Sequence, residues 1–186
     1  MSGRTSDAYD SRSVVFHWAT ALLVVLQWVG AQVIDWFPRG PLRVDARSVH
    51  IVVGILLLTI VIMRLVWRLT QAQRPEPAGP KAVRTVASLV HWLLYALVIA
   101  VLLVGVVTEA ARGDSFFGLF KIPGFQADRP LRSQLESVHE LLANSLLIVA
   151  GAHAVAALVH GWLWRDRVLG RMIPALRRRY DARSAQ

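Results

Sequence analysis

Six histidines stand at positions 17, 50, 91, 139, 153 and 160 of a 186-residue chain that has no cysteine. Imidazole is the commonest metal ligand among side chains and a proton carrier near neutral pH. Each of the six lies in or at the end of one of four long apolar stretches. An ionisable side chain at membrane depth is costly, so by default it faces the interior of a helix bundle and marks function. The spacing adds a geometric test. His139 and His153 are 14 residues apart, which in a helix is a rise of about 21 Å and a net rotation of about 320°. They therefore point to nearly the same side, and one helix offers an imidazole at each of two depths.

The other stretches supply partners at those depths. His17 falls about three residues, roughly 5 Å, into the first stretch, and His153 falls roughly 22 Å into the oppositely running fourth, so both lie toward one face. His50 and His139 each open a stretch that starts from the other face. A bare zinc or iron site gathers three or more ligands at one point, whereas this pattern offers two at each level. A metal held in a porphyrin needs only axial ligands from the protein. Without cysteine, covalent haem c attachment and thiolate-bound iron–sulfur clusters are excluded. The expectation is two haem b groups, one held by His17 and His153 and the other by His50 and His139. Two axial histidines fill the iron's coordination sphere and favour electron transfer over oxygen binding at the metal.

The elements that must position these residues follow from composition. The chain is 55% hydrophobic with mean hydropathy +0.46, and its apolar residues are blocked together instead of spaced for amphipathic surfaces. A bilayer core of about 30 Å is crossed by roughly 20 apolar helical residues. Four stretches reach that length, approximately 14–34, 49–67, 89–107 and 138–163. The predicted fold class is an all-α integral membrane four-helix bundle, with residues 1–186 forming a single transmembrane domain. The first stretch is too long for a signal-peptide core and no small-residue cleavage site follows it, so it reads as a retained helix.

Four spans put both termini on one side. The N-terminal tail, the link between the second and third spans and the C-terminal tail hold 13 of the 21 Lys and Arg residues, among them Arg177, Arg178 and Arg179. Basic residues gather on the cytoplasmic side, so both termini are expected to be cytoplasmic. The formal charge of +9 then reflects topology and contact with anionic membrane lipid, and no nucleic-acid partner is expected. Trp36 falls at the outer end of the first span, and Trp18, Trp67, Trp92, Trp162 and Trp164 near the inner interface, where indoles anchor. The segment from Gln71 to Pro80 reads as an inner loop. The longest connection, Arg112 to Pro130, lies outside, and its Phe116, Phe117, Leu119 and Phe120 either cap the bundle or lie in the interface as a short amphipathic turn.

Further residues have two readings each. Gly54, Gly105 and Gly151 either let a porphyrin approach the backbone or serve small-residue helix packing in lipid. Arg64, 14 residues after His50, projects near the His50 face at inner depth, where it pairs with a haem propionate or snorkels to the interface. His91 begins the third span on the inner side, and His160 lies two turns beyond His153 at the membrane edge. Either could hydrogen-bond or protonate a quinone carbonyl, or sit at the interface or on a propionate, and His160 is an alternative ligand to His153.

The residues are also similar to a known family. Phe16-His17-Trp18, Val49-His50 with Gly54, Val90-His91-Trp92, the run Val138-His139-Glu140-Leu141-Leu142-Ala143-Asn144 and Gly151-Ala152-His153 together resemble the bacterial cytochrome b561 family of four-helix dihaem membrane proteins, over nearly the whole chain. The resemblance implies the same two ligand pairs and a multi-pass place in the bacterial inner membrane. For superoxide oxidase-type members it implies oxidation of superoxide at the outer face and delivery of the electrons to ubiquinone. Related four-helix cytochromes instead serve as the b subunit of a partner dehydrogenase or hydrogenase. Arg39, Arg43, Arg47, Arg112, Lys121, Arg129 and Arg132 could steer an anion toward the outer haem. Asp35, Asp45, Glu109, Asp114, Asp128, Glu136 and Glu140 leave that face formally neutral.

Overall fold

A computed structural model describes residues 9–72, 80–125, 127–163, 169–173 and 176. Four helices dominate it, α1 (Ser11–Ile34), α2 (Pro41–Thr70), α3 (Lys81–Arg112) and α4 (Arg129–Trp162), and all four are long and apolar enough to cross a membrane. A helix is the form in which a lipid-embedded segment satisfies its own backbone groups. The apolar blocks of the sequence therefore lie in these helices, save Leu163 just past the end of α4, and every helix starts before its block. Apolar length marks the bilayer, while the polar flanks continue the same backbone hydrogen bonding into the interface. One expectation is corrected by this. His50 and His139 do not open their helices, since they stand nine and ten residues past Pro41 and Arg129, and His91 stands ten past Lys81. Each is about 15 Å from its helix start.

Local chemistry sets the ends. Pro41 enters α2 at its first turn directly after Gly40, whose φ of 151° is a conformation L side chains rarely adopt. α3 stops at Gly113 in the left-handed region, φ 60°. Asp128 caps α4 by accepting from the Leu131 amide at 3.0 Å.

Asp10 does most. Its carboxylate accepts from the Ser13 amide at 2.9 Å, from Ser13 Oγ at 2.7 Å and from Trp67 Nε1 at 3.1 Å, which caps α1 and pins it to the end of α2. Burial alone would raise its pKa, but these hydrogen bonds outweigh it and hold the carboxyl below its ordinary value of 3.8. A depressed folded-state pKa means the stabilisation is present above the unfolded value and lost as pH falls through the folded one. Asp10→Ala is expected to cost about 1–2 kcal/mol, read as a lower denaturation midpoint in detergent at pH 7. The gap between variant and parent should close below pH 4.

The helices form two antiparallel pairs, α1 with α2 and α3 with α4, and the pairs meet more sparsely along α1–α4 and α2–α3. The buried core between them is small: Leu57 and Val61 of α2, Val98 and Val101 of α3, and Leu146 of α4. Trp28 Nε1 donates to Asn144 Oδ1 at 2.8 Å, a polar tie between α1 and α4 of the kind that holds helices together where lipid gives no hydrophobic drive. Gln27 Nε2 reaches the His50 carbonyl at 3.0 Å, tying α1 to α2.

The connection between α3 and α4 folds into a hairpin of two short antiparallel strands, β1 (Ser115–Phe116) and β2 (Phe120–Lys121). Three residues, Phe117 to Leu119, join the strands, and φ is positive at both Phe117 (50°) and Gly118 (71°), the sense that matches strand twist. Ser48, fully buried, donates to the Val44 carbonyl at 2.9 Å and accepts from the Phe117 amide at 2.8 Å. Arg47 meets Asp114 at 2.9 Å. These contacts seat the hairpin on α2 as a cap, with Leu119 and Phe120 exposed on it.

At the opposite, termini end, where α1 starts and α4 stops, a short 3-10 helix (Leu169–Arg171) packs on α4, and Trp18 Nε1 donates to the Met172 carbonyl at 3.0 Å. Most of the Gln71 to Pro80 loop, Trp164 and Arg177 to Arg179 fall outside the described residues.

Candidate functional site

Histidines from different helices meet at two levels. At the termini end, His17 of α1 and His153 of α4 have ring centres 6.4 Å apart with planes at 69°. At the hairpin end, His50 of α2 and His139 of α4 are also 6.4 Å apart, at 79°. A metal–imidazole bond is about 2 Å and a ring nitrogen lies about 1 Å from its ring centre, so two imidazoles facing across one metal have centres about 6 Å apart. Both pairs match that separation. The Nδ1 atoms of His50 and His139 are buried with no hydrogen-bond partner, a state that polar groups in a folded interior rarely keep. Among the described residues no three His, Cys, Asp or Glu side chains gather as a bare ion would need. The donor set suits a metal that brings its own equatorial ligands.

His91 joins the first level. Its ring is 5.1 Å from that of His153 at 70°, nearer than two imidazoles on opposite sides of one metal would stand. His153 is thus the α4 imidazole that reaches both His17 and His91, and His160 lies in the last turn of α4. Arg64 of α2 comes to the same place, with Nη2 at 3.1 Å from His17 Nδ1 and the guanidinium 5.3 Å from the centre of the buried Tyr95 ring. A guanidinium only donates. In this contact His17 Nδ1 accepts, so the proton of the neutral ring sits on Nε2. Ligation through Nε2 needs the other tautomer and requires the contact to open, which frees Arg64 for an anionic group beside the same ring. Arg68 lies 5.8 Å from the Trp92 ring centre and 5.4 Å from that of Tyr95.

The glycines separate. A Cβ at Gly105 would sit 2.9 Å from His139 Cε1, so this position on α3 is the floor against which the ring rests. A Cβ at Gly54 would meet Gln27 Nε2 at 3.0 Å, which makes Gly54 a helix-packing position between α2 and α1. Gly151 has open space around it.

At the hairpin end, Arg39, Arg43 and Arg47 line a shallow cleft of about 210 Å³. Much of that charge is paired: Arg43 with Asp35 at 3.6 Å, Arg47 with Asp114 at 2.9 Å and Arg112 with Glu136 at 3.0 Å. Sequence reasoning passed over Trp28, Gln27, Ser48 and Tyr95, and named Asn144 only within the family-like run without giving it a partner. The signal for Asn144 and Gln27 was present, since an amide inside an apolar block needs a partner. Tyr95 stands one turn after His91 and so shares its face.

The family model of prokaryotic cytochrome b561 matches residues 8–175. The chain belongs to the prokaryotic cytochrome b561 family. Among its relatives, a protein named probable superoxide oxidase CybB from Yersinia pestis is 31% identical over 172 residues, covering 91% of this chain and 97% of that one. Cytochrome b561 homolog 1 of Escherichia coli K12 is 28% identical over 170 residues, 89% and 97% of the two chains. Cytochrome b562 of Cereibacter sphaeroides is 28% identical over 170 residues, 89% and 94%. As a cytochrome b561 the chain is a multi-pass bacterial membrane protein with an oxidoreductase role, a b-type cytochrome that transfers electrons, and haem b is the prosthetic group of its family.

Proposed function

We propose that this cytochrome holds two haem b groups, one between His17 and His153 and one between His50 and His139, and conducts electrons from the hairpin end to the termini end. The observation that carries the reading is the equal 6.4 Å separation of two histidine pairs that share α4. The charge distribution supports both termini lying in the cytoplasm, which makes the His50 and His139 level outer and the membrane the bacterial inner membrane.

Haem b, when bound with both axial positions filled, supplies a one-electron couple with no open site on the metal. The residues around it do the rest. His17 with His153 and His50 with His139 would hold one group at each level, and Gly105 is the floor beneath the His139 ring. Arg64, which stands at His17 Nδ1, would neutralise a propionate of the inner group. His91, beside His153, donates a hydrogen bond to a ubiquinone carbonyl and delivers a proton as it is reduced. His160, in the last turn of α4, serves the same proton path from the cytoplasmic side.

Superoxide is the donor this reading assigns to the outer face, supported by the likeness to the Yersinia pestis protein of that name. The balance is simple: two superoxide anions each give one electron and leave as dioxygen, and ubiquinone takes two electrons and two protons to become ubiquinol. Purified protein in detergent, supplied with superoxide and a soluble ubiquinone, is expected to form quinol with no other protein present. Absence of turnover until a dehydrogenase or hydrogenase is added would replace this reading with that of a b-type electron-transfer subunit.

A further inference from the structure

Four arginines at the hairpin end are partly buried: Arg43, Arg47, Arg112 and Arg132. Three are neutralised by Asp35, Asp114 and Glu136. The Arg132 side chain has neither ion pair nor hydrogen bond among the described residues, and its Nε is buried without a partner. A guanidinium stays charged at any pH the protein meets, and one held partly buried with no counter-charge beside it is ready to take a planar anion.

Its position on α4 indicates the partner. Arg132 precedes His139 by seven residues, a rotation within about 20° of two full turns and a rise of about 10 Å toward the hairpin end. It therefore stands above the face that presents His139. Arg43 stands in the same relation to His50 on α2, but its Nε and Nη2 are already committed to the carbonyls of Phe37 and Asp35, at 2.8 and 3.0 Å. Of the partly buried arginines among the described residues at this end, Arg132 is left uncommitted over this level.

We propose that Arg132 is a positioning residue that would bind a propionate carboxylate of the outer haem and raise its reduction potential. This rests on the assignment of His50 and His139 as the outer ligands. A carboxylate is the planar, two-oxygen anion that a guanidinium fork fits, and a fixed positive charge beside a redox centre favours the reduced form, which carries one positive charge less. A free small anion has related chemistry, and the experiment separates the two.

The test is an optical redox titration of purified holoprotein, in which the outer couple is identified as the one missing from His139→Ala. R132Q is expected to carry both haems, to lower the outer reduction equilibrium about tenfold, which is about 59 mV for a one-electron couple, and to leave the inner couple in place. R132K, which keeps the charge, should recover most of the shift, and neither protein should respond to chloride at constant ionic strength. If R132Q is isolated without the outer haem, R132K decides: an outer couple near the parent value supports the clamp and a missing one overturns it. An unmoved outer couple in R132Q overturns it as well. So does a parental couple that follows chloride concentration, which would assign the cation to a free anion. A His50→Ala protein that still held both haems would instead overturn the ligand assignment, whatever Arg132 did.

Discussion

His50→Ala and His139→Ala are each expected to yield folded protein with one haem per chain in place of two, and the visible absorbance per chain should fall by about half. His17→Ala and His153→Ala should remove the other haem, so that a variant from each level combined leaves a colourless protein. The size of the effect comes from the geometry. Each group is gripped by imidazoles from two helices whose rings stand 6.4 Å apart, and the helix pairs meet sparsely between them, so little else of the protein replaces a lost axial bond. The two levels share α4 but no ligand, and their couples should titrate independently of each other's loss. A ligand variant that retained both haems in full would contradict the assignment of that histidine.

His91→Ala separates the remaining imidazole at the crowded level from the ligands. It is expected to keep both haems with unchanged spectra and to slow quinol formation about 100-fold, the contribution typical of a positioned general acid. Reduction of the haems by a chemical donor should be unaffected, because the change lies after the electron has reached the inner centre. Rapid mixing of pre-reduced protein with ubiquinone measures the step directly. Loss of the inner haem in His91→Ala would make His91, not His17, the partner of His153. Full haem content with an undiminished rate would leave His91 as a packing residue against His153.

How much of this could be read from residues alone depends on what kind of physics each feature obeys. The four spans and the pairing of His17 with His153 and His50 with His139 were accessible because hydropathy and the 3.6-residue helical repeat act locally, and the 14 residues from His139 to His153 place the two rings without knowledge of any other helix. Helix ends were less accessible. α2 and α4 begin 8 or 9 residues before their apolar blocks, since Pro41 and the cap at Asp128 act on backbone hydrogen bonds that hydropathy does not see. The hairpin of residues 115–121 rests on a positive φ at Phe117 and on its amide bond to Ser48, neither of which composition announces. Tertiary partners were least accessible. Arg64 lies at the depth expected from its spacing after His50, yet its contact with His17 Nδ1 depends on how α1 packs against α2. The different duties of Gly54 and Gly105, one facing Gln27 and the other His139, follow from helix rotations that a single sequence does not specify.

The central claim is that two irons are each held between a pair of imidazoles inside the bundle. Low-temperature paramagnetic resonance of the oxidised, purified protein, with iron and protohaem counted on the same sample, tests it most directly. Two haems per chain are expected, both six-coordinate and low-spin. The steep ring planes of 69° and 79° should give both ferric centres the strongly anisotropic signal of crossed imidazoles. A protein without haem, a single haem per chain, or a high-spin signal from an iron with an open axial position would contradict the account.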